Sequence, residues 1–125
     1  MIVENGALLL VRRGRGPNTG LWAVPGGKVA FGETMRQAVA REVREETGLE
    51  VEVGPVVWVG DALDPGPRPE WHYTLVDFRC RVTGGQLAAA DDAREAAWVS
   101  LDRVLSLPVT PTMVDLVNTL GGSGC

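Results

Sequence analysis

The sequence predicts an α/β fold with a mixed β-sheet between helices, and three observations lead there. Short apolar runs flank Asn5-Gly6, a dipeptide that favours a two-residue hairpin turn. From Trp71 to Val82 the side chains alternate, with Val76, Phe78, Cys80 and Val82 on one face and Asp77, Arg79 and Arg81 on the other. Between these strands residues 35–47 carry helical spacing, and Thr110-Pro111 opens a second helix near the end.

Each element has its own local cause. Ile2-Val3 and Ala7 to Val11 are the arms of the first hairpin; the first arm is short, so the start is expected to be internal or truncated and its edge to be filled by a partner. Thr34 followed by Gln37 is a capping box, which starts a helix near Met35, and Gly48 supplies the left-handed residue that ends it near Thr47. Residues 51–59 read as a strand broken at Gly54-Pro55. Asp61 to Glu70, with Pro65, Pro67 and Pro69, is expected to be a loop, and Ala96 to Val99 a short last strand. The closing helix runs through Val114, Leu116 and Val117 and gives way to a tail, Gly121-Gly122-Ser123-Gly124-Cys125.

Composition limits what this fold can do. With 125 residues and 45% hydrophobic content the chain is expected to form one domain, residues 1–125, with a real core. The net charge is -4 and the basic residues form no long run, which argues against a nucleic-acid partner. The apolar runs are too short to span a bilayer and Ile2-Val3-Glu4-Asn5 is not the basic start of a leader, so no membrane is expected and the location is read as cytoplasmic. Cys80 and Cys125 form no CxxC motif, which indicates neither a disulfide frame nor a zinc site; Cys80 is expected in the core.

The chemistry is concentrated in the first helix. At roughly 100° per residue, Glu42, Glu45 and Glu46 fall within about a 100° arc, while Val39, Ala40 and Val43 occupy the neighbouring face and can pack on a sheet. An acidic helix is ordinarily a solvated face with ion pairs such as Arg41 with Glu45 at i, i+4. Pro25-Gly26-Gly27 ahead of the helix changes that balance, because glycines allow close backbone approach and a free carbonyl there is a hard oxygen ligand. Clustered carboxylates beside such a carbonyl suit Mg2+, which neutralises a diphosphate and acidifies a bound water. Substitution at phosphorus then depends on positioning and charge stabilisation, and no serine or cysteine nucleophile is needed.

The stretch from Gly27 to Leu49, with Glu33, Arg41, Glu42, Glu45, Glu46 and Gly48 at their spacings, resembles the Nudix box, and Leu21-Trp22-Ala23-Val24-Pro25-Gly26 resembles its usual lead-in. The resemblance implies the Nudix fold, an α/β/α sandwich, and hydrolysis of a small-molecule nucleoside diphosphate derivative linked to a group X. It implies a divalent metal, Mg2+ with Mn2+ as a possible substitute, held by Glu42, Glu45, Glu46 and the Gly26 carbonyl, with Arg41 and Glu33 keeping loop and helix in shape. The general base varies across the family, and Glu45 is favoured here. One departure stands out: relatives often carry an acid just after a Gly-Gly pair that ends a long strand, and here Gly84-Gly85 is followed by Gln86. The nearest substitutes are Asp91, Asp92 and Glu95.

Substrate choice rests on residues outside the box. Pro65 stands at the distance past the box where family members acting on ADP-ribose often carry a proline, and His72-Tyr73 resembles the ADP-ribose pyrophosphatase-like subgroup. Arg12, Arg13 and Arg15 can reach phosphates, since guanidinium pairs well with phosphate oxygens; a solubilising strand end is the alternative. Trp22, Trp58 and Trp71 can stack on a base or pack in the core, and His72 can touch phosphate or cap a strand. The leading expectation is cleavage of a nucleotide sugar such as ADP-ribose to AMP and ribose 5-phosphate. Alternatives are a (d)NTP pyrophosphohydrolase that cleans the nucleotide pool and, in another class, a non-catalytic nucleotide-sensing module. A homodimer is expected.

Overall fold

Asn5 and Gly6 both take left-handed backbone angles, φ 52° and 76°, in the computed structural model, which describes residues 1–123. That turn joins β1 (Val3–Glu4) to β2 (Ala7–Arg13), with Val3 opposite Leu8. There follow β3 (Trp22–Ala23), α1 (Met35–Thr47), β4 (Leu49–Leu63), β5 (His72–Gly85), β6 (Ala93–Ser100), one 3-10 turn (Val104–Ser106) and α2 (Pro111–Ser123).

The middle of the molecule is β2. It pairs antiparallel with β1 and β3, and again with β6, placing Leu9 opposite Trp98. Leu8, Leu9 and Leu10 are fully buried, so both faces of the strand are covered, as its unbroken apolar run requires. Leu8 and Leu10 join Val104, Met113 and Leu116 beneath α2. Leu9 points into a second cluster with Ile2, Val43, Phe78 and Cys80 beneath α1. The buried residues therefore form two clusters, one on each side of this strand. Cys80 is buried and free, as expected.

A second sheet consists of β4 and β5, antiparallel along their length. Its register shifts around Gly54-Pro55, the bulge the sequence signalled. Arg36 clamps this bulge from α1: one guanidinium nitrogen donates to the carbonyls of Val53 (3.0 Å) and Gly54 (2.8 Å) while the group lies 5.1 Å from the Phe78 ring centre. The sheets meet through a parallel bridge, Ile2 to Cys80, and a second parallel bridge ties Trp22 to Val109. The mixed character of the strand layer lies in these bridges, since every extended ladder is antiparallel.

Three boundaries move. The paired strands reach Leu63 and His72, so the proline segment is shorter than Asp61 to Glu70; the Asp64 carboxylate closes it by accepting from the amides of Gly66 and Glu70, each at 3.0 Å. The last strand starts at Ala93 because its ladder with β2 continues to Arg13. Helix α2 continues over Gly121–Ser123, where a tail was expected; Cys125 lies outside the described residues. Among the described residues no helix is long and apolar enough to cross a membrane.

Candidate active site

Helix α1 is fixed at both ends before any chemistry begins. The Thr34 hydroxyl accepts from the Gln37 amide (3.1 Å) and the Gln37 side chain accepts from the Thr34 amide (2.9 Å). At the other end Gly48, φ 76°, donates to the Arg44 carbonyl. Val43 is buried in the second core with Val39 packed against it, which leaves the glutamates on the neighbouring face, toward the glycine loop.

Arg41 organises that loop. Its guanidinium donates to Glu33 through two nitrogens (2.8 and 3.0 Å), to Glu42 (2.8 Å), to Glu45 (3.1 Å) and to the Lys28 carbonyl (3.0 Å). These are charge-assisted bonds in a fixed fork, a set no lysine reproduces. The hydrogen bond from Arg41, then one from the Ala30 amide, pulls the Glu33 carboxyl down to about 2. Glu33 and Glu42 in turn hold the proton on Arg41 more tightly than usual.

Glu46 is in a different situation. It is 6% exposed and accepts one bond, 2.9 Å from the Gly26 amide. Burial, foremost, and the charges of Glu42 and Asp92 push its carboxyl up to about 7, against the opposing pull of the Gly26 amide and Arg13. Beside it, the Glu42 carboxylate crowds Gly27 so closely that a Cβ there would stand 2.5–2.7 Å from its atoms. A side chain at position 27 would displace the Glu42 carboxylate.

Among the described residues no three His, Cys, Asp or Glu side chains converge as they stand to enclose a metal ion. The reason is visible: Arg41 draws Glu45 and Glu42 to itself, and Gly26 holds Glu46. The oxygen chemistry nonetheless fits a hard divalent cation, because a buried carboxylate has one backbone donor and no direct ion pair among the described residues, and a second carboxylate lies against the adjoining glycine.

The other expected site residues divide. Arg13 is near enough to Glu46 to act on it electrostatically and donates to the Pro17 carbonyl (3.0 Å). Arg12 is turned to the Gly20 carbonyl (3.1 Å) and to Glu95 (3.6 Å). Trp22, half-buried, packs against the first core. His72 pairs with Asp61 (2.9 Å) at the far end of β4 and β5. The Gln86 backbone lies against Gly48, whereas Asp92, ion-paired with Arg15, acts on Glu46 and is the acid of its segment placed beside the box. Lys28 went unnoticed in the sequence; its position directly after the double glycine was the available signal.

A glycine turn closed onto a capped helix of glutamates, carried between two small sheets, is the arrangement of a hydrolase of phosphoric anhydride bonds. The chain belongs to the Nudix family: that family's model, described as NUDIX domain, matches residues 1–120. An ADP-ribose pyrophosphatase of Methanocaldococcus jannaschii is 39% identical over 107 residues, covering 86% of this chain and 62% of the archaeal protein. A putative 8-oxo-dGTP diphosphatase 2 of Mycobacterium tuberculosis is 38% identical over 127 residues, covering 98% of this chain and 87% of its own. Among solved structures, a MutT NUDIX hydrolase from Burkholderia pseudomallei matches with a TM-score of 0.84 at 29% identity, covering 94% of this chain and 91% of that one.

Proposed function

We propose that the chain hydrolyses the diphosphate bridge of a nucleotide sugar, with ADP-ribose giving AMP and ribose 5-phosphate. The observation that carries the reading is the pair of carboxylates, Glu42 against Gly27 and Glu46 on the Gly26 amide, at the mouth of the glycine turn. The name of the archaeal relative supports the substrate. A nucleoside triphosphate substrate is the second reading, favoured by the name of the mycobacterial relative, which matches over more of both chains.

In this reading Glu42, Glu45, Glu46 and the Gly26 carbonyl would hold Mg2+, or Mn2+ in its place, which would supply charge neutralisation and a more acidic water. Arg41 and Glu33 keep the loop at the distance that lets Glu42 touch Gly27. Glu45, the most exposed of the three box carboxylates, takes the proton from the attacking water; its side chain is 41% accessible against 13% for Glu42. Asp92 serves in place of the acid missing at Gln86, and Arg13 steadies negative charge beside Glu46.

The same reading takes the chain as a cytoplasmic homodimer. Exposed Val56, Val59 and Leu63 along β4 support the dimer, because they are apolar side chains on one strand. A monomeric mass in solution at micromolar concentration removes that part.

The substrate is tested by a turnover panel with Mg2+ over ADP-ribose, other nucleotide sugars, dinucleoside polyphosphates and canonical and oxidised nucleoside triphosphates. ADP-ribose is expected to have the highest kcat/KM. Activity on triphosphates alone overturns the choice, and no turnover of any member leaves the nucleotide-sensing module in its place.

A further inference from the structure

Beyond the carboxylates, a line of contacts leads away from the glycine turn. The Lys28 carbonyl is held by Arg41 (3.0 Å), while its ammonium lies 5.5 Å from the centre of the Tyr73 ring. Tyr73 in turn meets Trp71, ring centres 5.7 Å apart and planes inclined by 32°. Trp71 forms one wall of a cleft of about 270 Å³ whose polar lining comes from Asn18, Asp61, Thr112 and Asp115.

The chemistry of this cleft is one-sided. Two carboxylates face it, and no lysine or arginine is among the described residues that line it. Such a wall repels phosphate and accepts from N–H or O–H donors. The His72 ring pairs with one oxygen of Asp61 at 2.9 Å, which fixes the carboxylate's direction and leaves its other oxygen free. A cleft just below the roughly 300 Å³ at which whole-ligand pockets begin suits one ring system better than a complete nucleotide. A ribose diol would satisfy the carboxylates yet offers no flat face to Trp71; a nucleobase does both, since bases stack on aromatic side chains.

We propose that Trp71 and Tyr73 form the base shelf of the substrate site, and that Asp61 and Asp115 select a base carrying an exocyclic amine. This rests on the nucleotide-hydrolase reading and adds to it which nucleotides are taken. The exocyclic amine of adenine presents two N–H donors and guanine presents its amine beside the ring N1–H, whereas hypoxanthine offers its ring N1–H alone and so pairs with one carboxylate while the other stays unpaired. Lys28 spans the gap between the shelf and the diphosphate.

The test uses the complete protein with nucleoside monophosphates, which contain neither X nor the scissile bond. Dissociation constants for AMP, GMP and IMP are measured by calorimetry, and quenching of tryptophan fluorescence is followed in parallel. AMP or GMP is expected to bind at least about 10-fold more tightly than IMP, the size of one net hydrogen bond. In an Asp61→Ala, Asp115→Ala double variant this preference should fall to about 1; in Trp71→Phe and Trp71→Ala the quench should be lost, with AMP affinity kept better by Phe, which still stacks, than by Ala. Equal binding of all three monophosphates by the parent, a preference that survives the double variant, or ribose 5-phosphate competing as well as AMP each overturns the proposal. ADP-ribose turnover alongside separates the two levels. Hydrolysis with no base preference removes the shelf alone, whereas absence of both turnover and nucleotide binding removes the hydrolase reading and the shelf together.

Discussion

The Glu42 carboxylate rests on the Cα of Gly27, so close that the smallest side chain at position 27 would overlap it. A glycine turn and a glutamate fifteen positions along the chain are thereby one unit, and Arg41 holds them there by bonding Glu42 on one side and the Lys28 carbonyl on the other.

Gly27→Ala should therefore act on catalysis more than on folding. The added methyl meets a carboxylate on a flexible side chain, so Glu42 moves and the domain survives. A displacement of about 1 Å in a positioned group can cost on the order of 100-fold, and kcat/KM is expected to fall by about 10- to 100-fold with little change in Tm. Steady-state rates and a thermal melt of the same preparation check both halves; wild-type turnover would show that Glu42 does not need this contact.

Glu33 gives an acid-stability signature. Its carboxyl is held at about 2, below the ordinary 4.5, so its contribution is present above 4.5 and is lost as pH falls toward 2. Denaturant midpoints measured from pH 6 to pH 2 should fall more steeply in the parent than in Glu33→Gln. Parallel curves would remove the Glu33 and Arg41 pair from the acid branch.

The buried carboxylate of Glu46 has the opposite sign. Raised to about 7 from 4.5, it favours folding when protonated, so its own contribution to metal-free stability is fully present below 4.5 and is lost as pH rises through 7. Glu46→Gln should then be more stable than the parent at pH 8 in the absence of metal, while its kcat falls by at least about 100-fold. For the parent, Mg2+ binding near pH 6.5 should release protons, which calorimetry in buffers of different ionisation enthalpy detects. Equal stability of the two proteins at pH 8 counts against a charge-strained Glu46.

A packing test lies on β4. The Trp58 indole covers Gly60, and a Cβ there would collide with the ring. Gly60→Ala is expected to cost about 1–3 kcal/mol through overpacking, read as a lower denaturant midpoint with the m-value unchanged. No loss would mean that the ring turns aside freely.

Much of this was legible in the chain. The capping box at Thr34 and Gln37, the left-handed Gly48, the Asn5-Gly6 turn and the Gly54-Pro55 bulge are local signals, each written in residues a few positions apart, and each stands in the structure. What was missed depends on distant pairing. The strand ends at Leu63 and Ala93 follow from ladders with partners elsewhere in the chain, and the two-core arrangement follows from β2 being covered on both faces. At the site, the spacing of the glutamates placed them on one face, but it could not say that Arg41 would bind three acids, that Glu46 would be buried, or that Trp22 would pack on the core. Those outcomes are set by where α1 docks, which no short window contains.

The most direct test compares release of AMP from ADP-ribose at saturating Mg2+ by the parent, Glu42→Gln and Glu46→Gln. Metal-assisted hydrolysis at the glycine turn requires kcat to fall by at least about 100-fold in both variants while each keeps a cooperative melt. Parental turnover in both would contradict it.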